Sequence, residues 1–304
     1  MKIFTTKKTF DGYLEKLRRE RKTIGFVPTM GALHQGHLSL LAQAQQSSDV
    51  TVCSIFVNPT QFNDPMDLEK YPRPIESDIS KLEKAGCDVL FNPDVNEMYA
   101  ANEQWHLDIG ELEGLLEGKF RPGHYQGVMQ VVYKLFAIVK PDLAFFGQKD
   151  YQQFLVIKKM VDLLNLPVKL VMCPIQREAD GLAMSSRNIH LSAEERQHAL
   201  VLSRTLDWLK ENLDPNKIDS VLEECKKRID AEPGVKLDYF EIVHANDLHA
   251  ATAGNWNPDH KSTFDIVALV AAKVGNTRLI DNYIFHVRSV QVTVTPPKRP
   301  DPKS

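Results

Sequence analysis

TIGFVPTMGALHQGHLSLLAQAQQ, residues 23–46, decides the architecture. Residues 23–27 are short and apolar, as a buried strand requires, and residues 38–46 carry apolar side chains at helical spacing. Between them Pro28 and Thr29 close the strand, while Gly31 and Gly36 permit a tight turn and close approach of the backbone to a ligand. The helix is expected to begin near Gly36, with unpaired N–H groups and the positive end of its dipole at the strand tips. His34 and His37 flank that point and suit hydrogen bonds to phosphate oxygens. The HxxH spacing alone equally allows a metal pair or a plain surface turn, although no third ligand lies nearby in the sequence.

The strand–helix unit recurs. Residues 50–58, 88–92, 142–147 and 168–173 read as strands, and residues 75–86, 127–140 and 151–165 as helices. In the first of these helices Ile75, Ile79 and Leu82 share a face, with Gly86 closing it; in the last, Leu155, Met160, Leu163 and Leu164 are expected to point inward. Such alternation implies a parallel sheet covered by helices on both faces. After residue 187 the pattern changes. Ser192 and Glu195 match a capping box that opens a long helix to about residue 213, a second helix covers about 216–230, and three strands follow. The fold class is therefore α/β: a Rossmann-like parallel sheet over residues 1–182 and a smaller α+β domain with antiparallel strands over 183–290. The Pro- and Lys-rich residues 291–304 are expected to be disordered.

The 304 residues are long enough for two cores, and a net charge of −3 does not provide the basic face that nucleic acid would need. Cys53, Cys87, Cys173 and Cys225 are scattered, without metal-ligand or CxxC spacing. With neither a signal peptide nor an apolar run of transmembrane length, the chain is expected to be cytoplasmic, with no membrane or nucleic-acid partner.

Ligands of a parallel α/β sheet bind beyond the carboxyl ends of its strands, and three further motifs follow strands. In FVNPTQF (56–62), Asn58 and Gln61 can donate and accept at once, which suits a small hydroxy acid as well as a loop held by its own amides. In FFGQKDYQQ (145–153), Lys149 offers a point charge to phosphate; Asp150 is either a helix cap or a ligand to ribose or metal, and Gln153 lies one turn in. In READGLAMSSRN (177–188), Ser185, Ser186 and Arg187 form a donor-rich loop between the two domains. Walker A and GxGxxG turns are absent, and no protein nucleophile is required: positioning and charge neutralisation suffice for attack at phosphorus.

In this order and spacing, PTMGALHQGH, FVNPTQF, YPRP, FRPGHYQGV, FGQKDYQQ and DGLAMSSRN resemble the pantothenate synthetase family, from about residue 20 to 190 and more loosely to about 285. HxGH alone would indicate only the wider nucleotidylyltransferase superfamily. The resemblance implies a homodimer that joins (R)-pantoate to β-alanine with ATP and Mg²⁺. Pantoate's carboxylate attacks the α-phosphorus, pyrophosphate leaves, and β-alanine's amine displaces AMP from the pantoyl adenylate. It also implies an ATP site of Pro28, Thr29, Met30, Gly31, Ala32, Leu33, His34, Gln35, Gly36 and His37, continued by Gly147, Gln148, Lys149, Asp150, Gln176, Met184, Ser185, Ser186 and Arg187. His37, His34 and Lys149 would be catalytic, with His37 at the place of a proton donor, although charge stabilisation is its larger expected role. Gln61 and Gln153 would hold pantoate, Gln61 and Asn58 β-alanine, with Arg121 and His124 at the border; the metal ligands are not implied. One departure is Gln176, where a small aliphatic residue commonly faces adenine.

Two rivals remain. A nucleotidylyltransferase acting on a phosphorylated acceptor would want cations where Gln61 and Gln153 stand, and a nucleotide-sensing module would not need the catalytic groups that this sequence keeps.

Overall fold

Two sheets organise the chain. The computed structural model describes residues 1–63, 65–101, 103–255 and 263–288, so the tail assigned to 291–304 lies outside the described residues. The elements run β1 Lys2–Phe4, α1 Lys7–Arg19, β2 Ile24–Thr29, α2 Gln35–Ser47, β3 Val50–Ile55, α3 Pro65–Lys70, α4 Ile75–Lys84, β4 Val89–Phe91, α5 Val95–Met98, α6 Leu116–Phe120, α7 His124–Val139, β5 Leu143–Gly147, α8 Tyr151–Leu163 and β6 Lys169–Cys173. Then follow α9 Ala193–Asn212, α10 Ile218–Asp230, β7 Val235–His244, β8 Thr263–Val274 and β9 Thr277–Arg288.

The first six strands form one parallel sheet in the order β1-β4-β3-β2-β5-β6. Every residue of β3 is buried, as expected of a strand covered on both faces. Phe10, Leu14 and Leu17 of α1 pack on one face with α7 and α8, whereas Leu40, Leu41 and Ala44 of α2 pack on the other beside Leu82 of α4. The chain steps outward from β2 to β3 and β4 on one side, and to β5 and β6 on the other. The topological switch point, where an open α/β sheet parts its loops into a crevice, therefore lies between β2 and β5.

Strands β7, β8 and β9 form an antiparallel sheet. One face packs on α9 and α10. The other meets the first domain through Tyr239, Val243, Val267 and Leu269 against Tyr151 and Leu155 of α8. Being covered on both sides, β8 is buried without a break from Ile266 to Ala272.

Strand and helix assignments agree with the sequence patterns to within a few residues, including the Ser192–Glu195 capping box. Two inward assignments are corrected: Leu163 is 45% exposed and Leu164 36%. The helix stops there, Asn165 turns left-handed at φ 49°, and Leu166 and Val168 take the core positions instead. All four cysteines are free and buried. Among the described residues, no helix is long and apolar enough to cross a membrane.

Candidate active site

The two imidazoles that flank the start of α2 are its cap. His34 Nδ1 accepts from the Gly36 N–H at 3.1 Å, and His37 Nδ1 accepts from the His34 N–H at 3.3 Å. This is the reciprocal geometry of a capping box, built from two histidines. A ring nitrogen that accepts carries no proton, so in each neutral ring the hydrogen sits on Nε2 and is available to a ligand. Burial, followed by the charge of Lys149, lowers the His34 pKa to about 4; burial, the His34 ring and Lys149 lower that of His37 to about 3. Gly36 is required for this packing, because a Cβ there would lie 2.8 Å from the His34 ring.

A test follows. In ¹⁵N-resolved spectra both rings should show the Nε2–H tautomer and should not titrate between pH 8 and 5, whereas a titration near 6.5 in either would refute the cap. Because the folded values are depressed, these rings take up protons on unfolding. Their contribution to stability is present above pH 6.5 and should decline as the pH falls from 6.5 through about 4.

Preceding the cap, the Gly31–Leu33 turn faces away from the cleft. The Asp78 carboxylate, 1% exposed, accepts from Ala32 N–H at 2.7 Å and Leu33 N–H at 2.8 Å. Lys81 Nζ donates to the Leu33 carbonyl at 2.7 Å. Gly31 and Ala32 sit at φ 84° and 49°, a conformation held by that carboxylate.

From the end of β3, Asn58 is buried and fully committed. Its Nδ2 donates to Gly127 O at 3.0 Å and to Gln61 Oε1 at 3.2 Å, and its Oδ1 accepts from the Tyr99 hydroxyl at 2.6 Å. Gly127 lets this turn lie against α7, since a Cβ there would overlap the Thr60 carbonyl. Nearby, the His124 ring must donate from Nδ1 to the Gln61 carbonyl at 2.8 Å, which leaves Nε2 to accept from Arg121 Nη1 at 3.0 Å. Burial, then Arg121, lowers the His124 pKa to about 4.

At the switch point the loops enclose one cleft with two lobes. The smaller, about 220 Å³, is lined by Pro28, Thr29, Met30, His34, Gly36 and His37 from the first turn, Gly147, Lys149 and Asp150 from the β5–α8 turn, Gln176, and the Met184–Arg187 loop. The larger, about 740 Å³, takes in Arg121, His124, Glu117, Tyr239 and Arg278. Met30, Gln61, Tyr71, Lys149, Asp150, Gln153 and Ser185–Arg187 border both, so the imidazoles, the lysine and the carboxamides share a single space. The Gln153 side chain makes no hydrogen bond among the described residues, whereas its backbone lies within α8. Asp150 stands at the N-cap of α8 without capping it, which removes the structural role open to it from the sequence.

Six expected contacts fall elsewhere. Gly31, Ala32 and Leu33 are turned to Asp78, the Gln35 side chain is exposed, Gln148 bonds Asn282 of β9 at 3.1 Å, and Asn58 lies behind Gln61. None of the six lines either lobe. Tyr71, in the YPRP motif, borders both lobes although nothing in the sequence singled it out, and burial raises its pKa. Asp78 and the Glu117–Arg278 pair carry no sequence motif. A signal for the cap was present, since an i, i+3 polar pair before an apolar run has capping-box spacing.

Fold and site together define a nucleotide-using α/β enzyme of the HxGH kind. The family model described as pantoate-beta-alanine ligase matches residues 2–284, and the chain belongs to that family: it is an ATP-dependent ligase of pantoate and β-alanine. The pantothenate synthetase of Thermotoga petrophila is 48% identical over 288 residues, covering 94% of this chain and 100% of its own length. That of Porphyromonas gingivalis is 46% identical over 282 residues, covering 93% and 98%. Among solved structures, pantothenate synthetase from Thermus thermophilus superposes with a TM-score of 0.82 at 40% identity, covering 93% of this chain and 99% of its own. Pantoate-beta-alanine ligase from Francisella tularensis, complexed with beta-gamma ATP and β-alanine, gives 0.75 at 35%, covering 93% and 97%.

Proposed function

We propose that ATP occupies the smaller lobe and the two acids the border with the larger one. The observation that carries this is the shared space: His34, His37 and Lys149 line one lobe, and Gln61 and Gln153 open it to the other. The triphosphate would receive the Nε2–H groups of His34 and His37, the Lys149 ammonium and the Ser185–Arg187 loop, with Met184 beside it. Asp150 faces the ribose, and Gln176 lies on the adenine side. Gln61 and Gln153 would hold pantoate so that its carboxylate meets the α-phosphorus. Asn58 acts by fixing the Gln61 amide, and Arg121, oriented by His124, lies toward the β-alanine end.

Bond making at phosphorus transfers charge to the leaving pyrophosphate. Neutral Nε2–H donors and a fixed ammonium stabilise that charge without giving up a proton, which fits rings whose pKa values are near 3 and 4. The amine of β-alanine then adds to the activated carbonyl, and the acyl–phosphate bond breaks to release AMP.

The donor set fits Mg²⁺ carried mainly by phosphate oxygens. No group of three His, Cys, Asp or Glu among the described residues is placed to hold a metal, and Mg²⁺ commonly needs only one or two carboxylates beside the phosphates. With Asp150 given to the ribose, the ion would be held chiefly by the phosphates and would neutralise their charge. The homodimer rests on family resemblance, and a cytoplasmic location on four unpaired, buried thiols and that resemblance.

Pure protein with ATP, Mg²⁺ and pantoate should release AMP steadily only when β-alanine is added. Steady AMP release without it, or none with all substrates present, would count against the assignment.

A further inference from the structure

Asn282 is 1% exposed, lies in the middle of β9, and reaches out of the second domain into the first. Its Nδ2 donates to two successive carbonyls, Gln148 at 3.0 Å and Lys149 at 2.9 Å, and its Oδ1 accepts from Gln148 Nε2 at 3.1 Å. The segment so held is the single 3-10 turn Gln148–Asp150, which has no side-chain cap of its own and carries Lys149 into the cleft. Asn282 is itself fixed from behind. Asp281 Oδ1 accepts the Asn282 backbone N–H at 2.8 Å, and its carboxylate grips Arg177 at 2.6 and 3.0 Å. Arg177 directly follows Gln176, which lines the smaller lobe with Lys149 from the loop after the neighbouring strand β6. One dipeptide of the second domain therefore ties two of the strand-end loops that line the smaller lobe, those after β5 and β6.

We infer that Asn282 is a positioning residue for the adenylylation step, holding the lysine-bearing turn so that Lys149 stands at the phosphates only while the second domain is docked. This rests on the role proposed above for Lys149. A side-chain amide suits the task because two adjacent carbonyls both need a donor, and NH₂ supplies two hydrogens from one atom while the amide oxygen takes the returning Gln148 N–H. An aliphatic residue would leave both carbonyls without partners in a buried seam, and the turn would shift to find water.

The test is a double-mutant cycle read on pyrophosphate release from ATP and pantoate in single turnover, using Lys149→Ala, Asn282→Ala and the double variant. Asn282→Ala should slow the step roughly 10- to 100-fold, the scale of an approximately 1 Å misplacement, with pantoate KM within about twofold of wild type. In the Lys149→Ala background the same substitution should have almost no further effect. Asn282→Asp, nearly the same size but facing the two carbonyls with oxygen, should be at least as slow as Asn282→Ala. If the Asn282 and Lys149 losses multiply, or Asn282→Ala runs at the wild-type rate, the inference falls. If both Asn282 variants unfold, Asn282 is a core residue first and the inference also falls. A Lys149→Ala enzyme as fast as wild type would instead overturn the role of the lysine itself, so the two failures are distinguishable.

Discussion

His37→Ala should slow the formation of pantoyl adenylate by two to three powers of ten while leaving the chain folded. Loss of one donor aimed at charge that develops in the transition state costs roughly 3–4 kcal/mol, and each 1.4 kcal/mol is tenfold in rate. His37 meets the conditions for that figure: its Nδ1 is spent on the His34 N–H, its ring is kept neutral by burial, and it lines the lobe with Lys149. The structural part of the loss is smaller, since an N-cap interaction is worth about 1 kcal/mol. Single-turnover pyrophosphate release, with a melting curve beside it, separates the two. A near-wild-type rate would remove His37 from the chemistry; a collapse of the melting temperature would make it a cap and little else.

Arg278→Ala is expected to cause a larger loss of stability than any of the other substitutions. Arg278 donates to both oxygens of Glu117 at 2.7 Å and to Asp238 at 2.7 Å, and the Tyr239 hydroxyl donates to Glu117 at 2.9 Å. Burial alone would raise the Glu117 carboxyl; the Arg278 guanidinium overrides it and holds it below the usual carboxylate range. Removing the arginine strands a carboxylate that is 10% exposed, and breaking one side of such a pair costs about 3–5 kcal/mol. Guanidinium unfolding should show the drop directly. Replacing all three groups, as in Glu117→Gln and Asp238→Asn with Arg278→Met, should restore most of it; if that triple variant is no better than Arg278→Ala, the stranded charge is not the cause. With Glu117 depressed, the sign with pH is fixed. Its share of stability is present above its unfolded value near 4.3 and lost as the pH falls below it.

The parallel sheet was legible in the sequence because each strand is an apolar run followed by a helix of clear period. The cleft's position followed from the rule that loops at strand ends hold ligands. Single side chains were harder. Leu163 and Leu164 satisfy the helical period, but a left-handed Asn165 ends the helix and gives their places to Leu166 and Val168. Asn58 has the chemistry of a ligand contact, but Gln61, Gly127, Tyr99 and Thr60 consume it. Asp78, Asp281 and Asn282 left no local trace at all. The loops they hold lie 45 or more residues away in sequence, and no periodicity encodes a pairing made by tertiary folding.

The late place of Asn282 in the chain has a consequence during synthesis. The last strand of the parallel sheet ends at Cys173, whereas the amide that grips the Lys149 turn is translated only with β9, more than a hundred residues later. On the positioning role inferred above for Asn282, a chain stalled before β9 lacks the side chain that holds the Lys149 turn, and it is expected to adenylylate pantoate slowly.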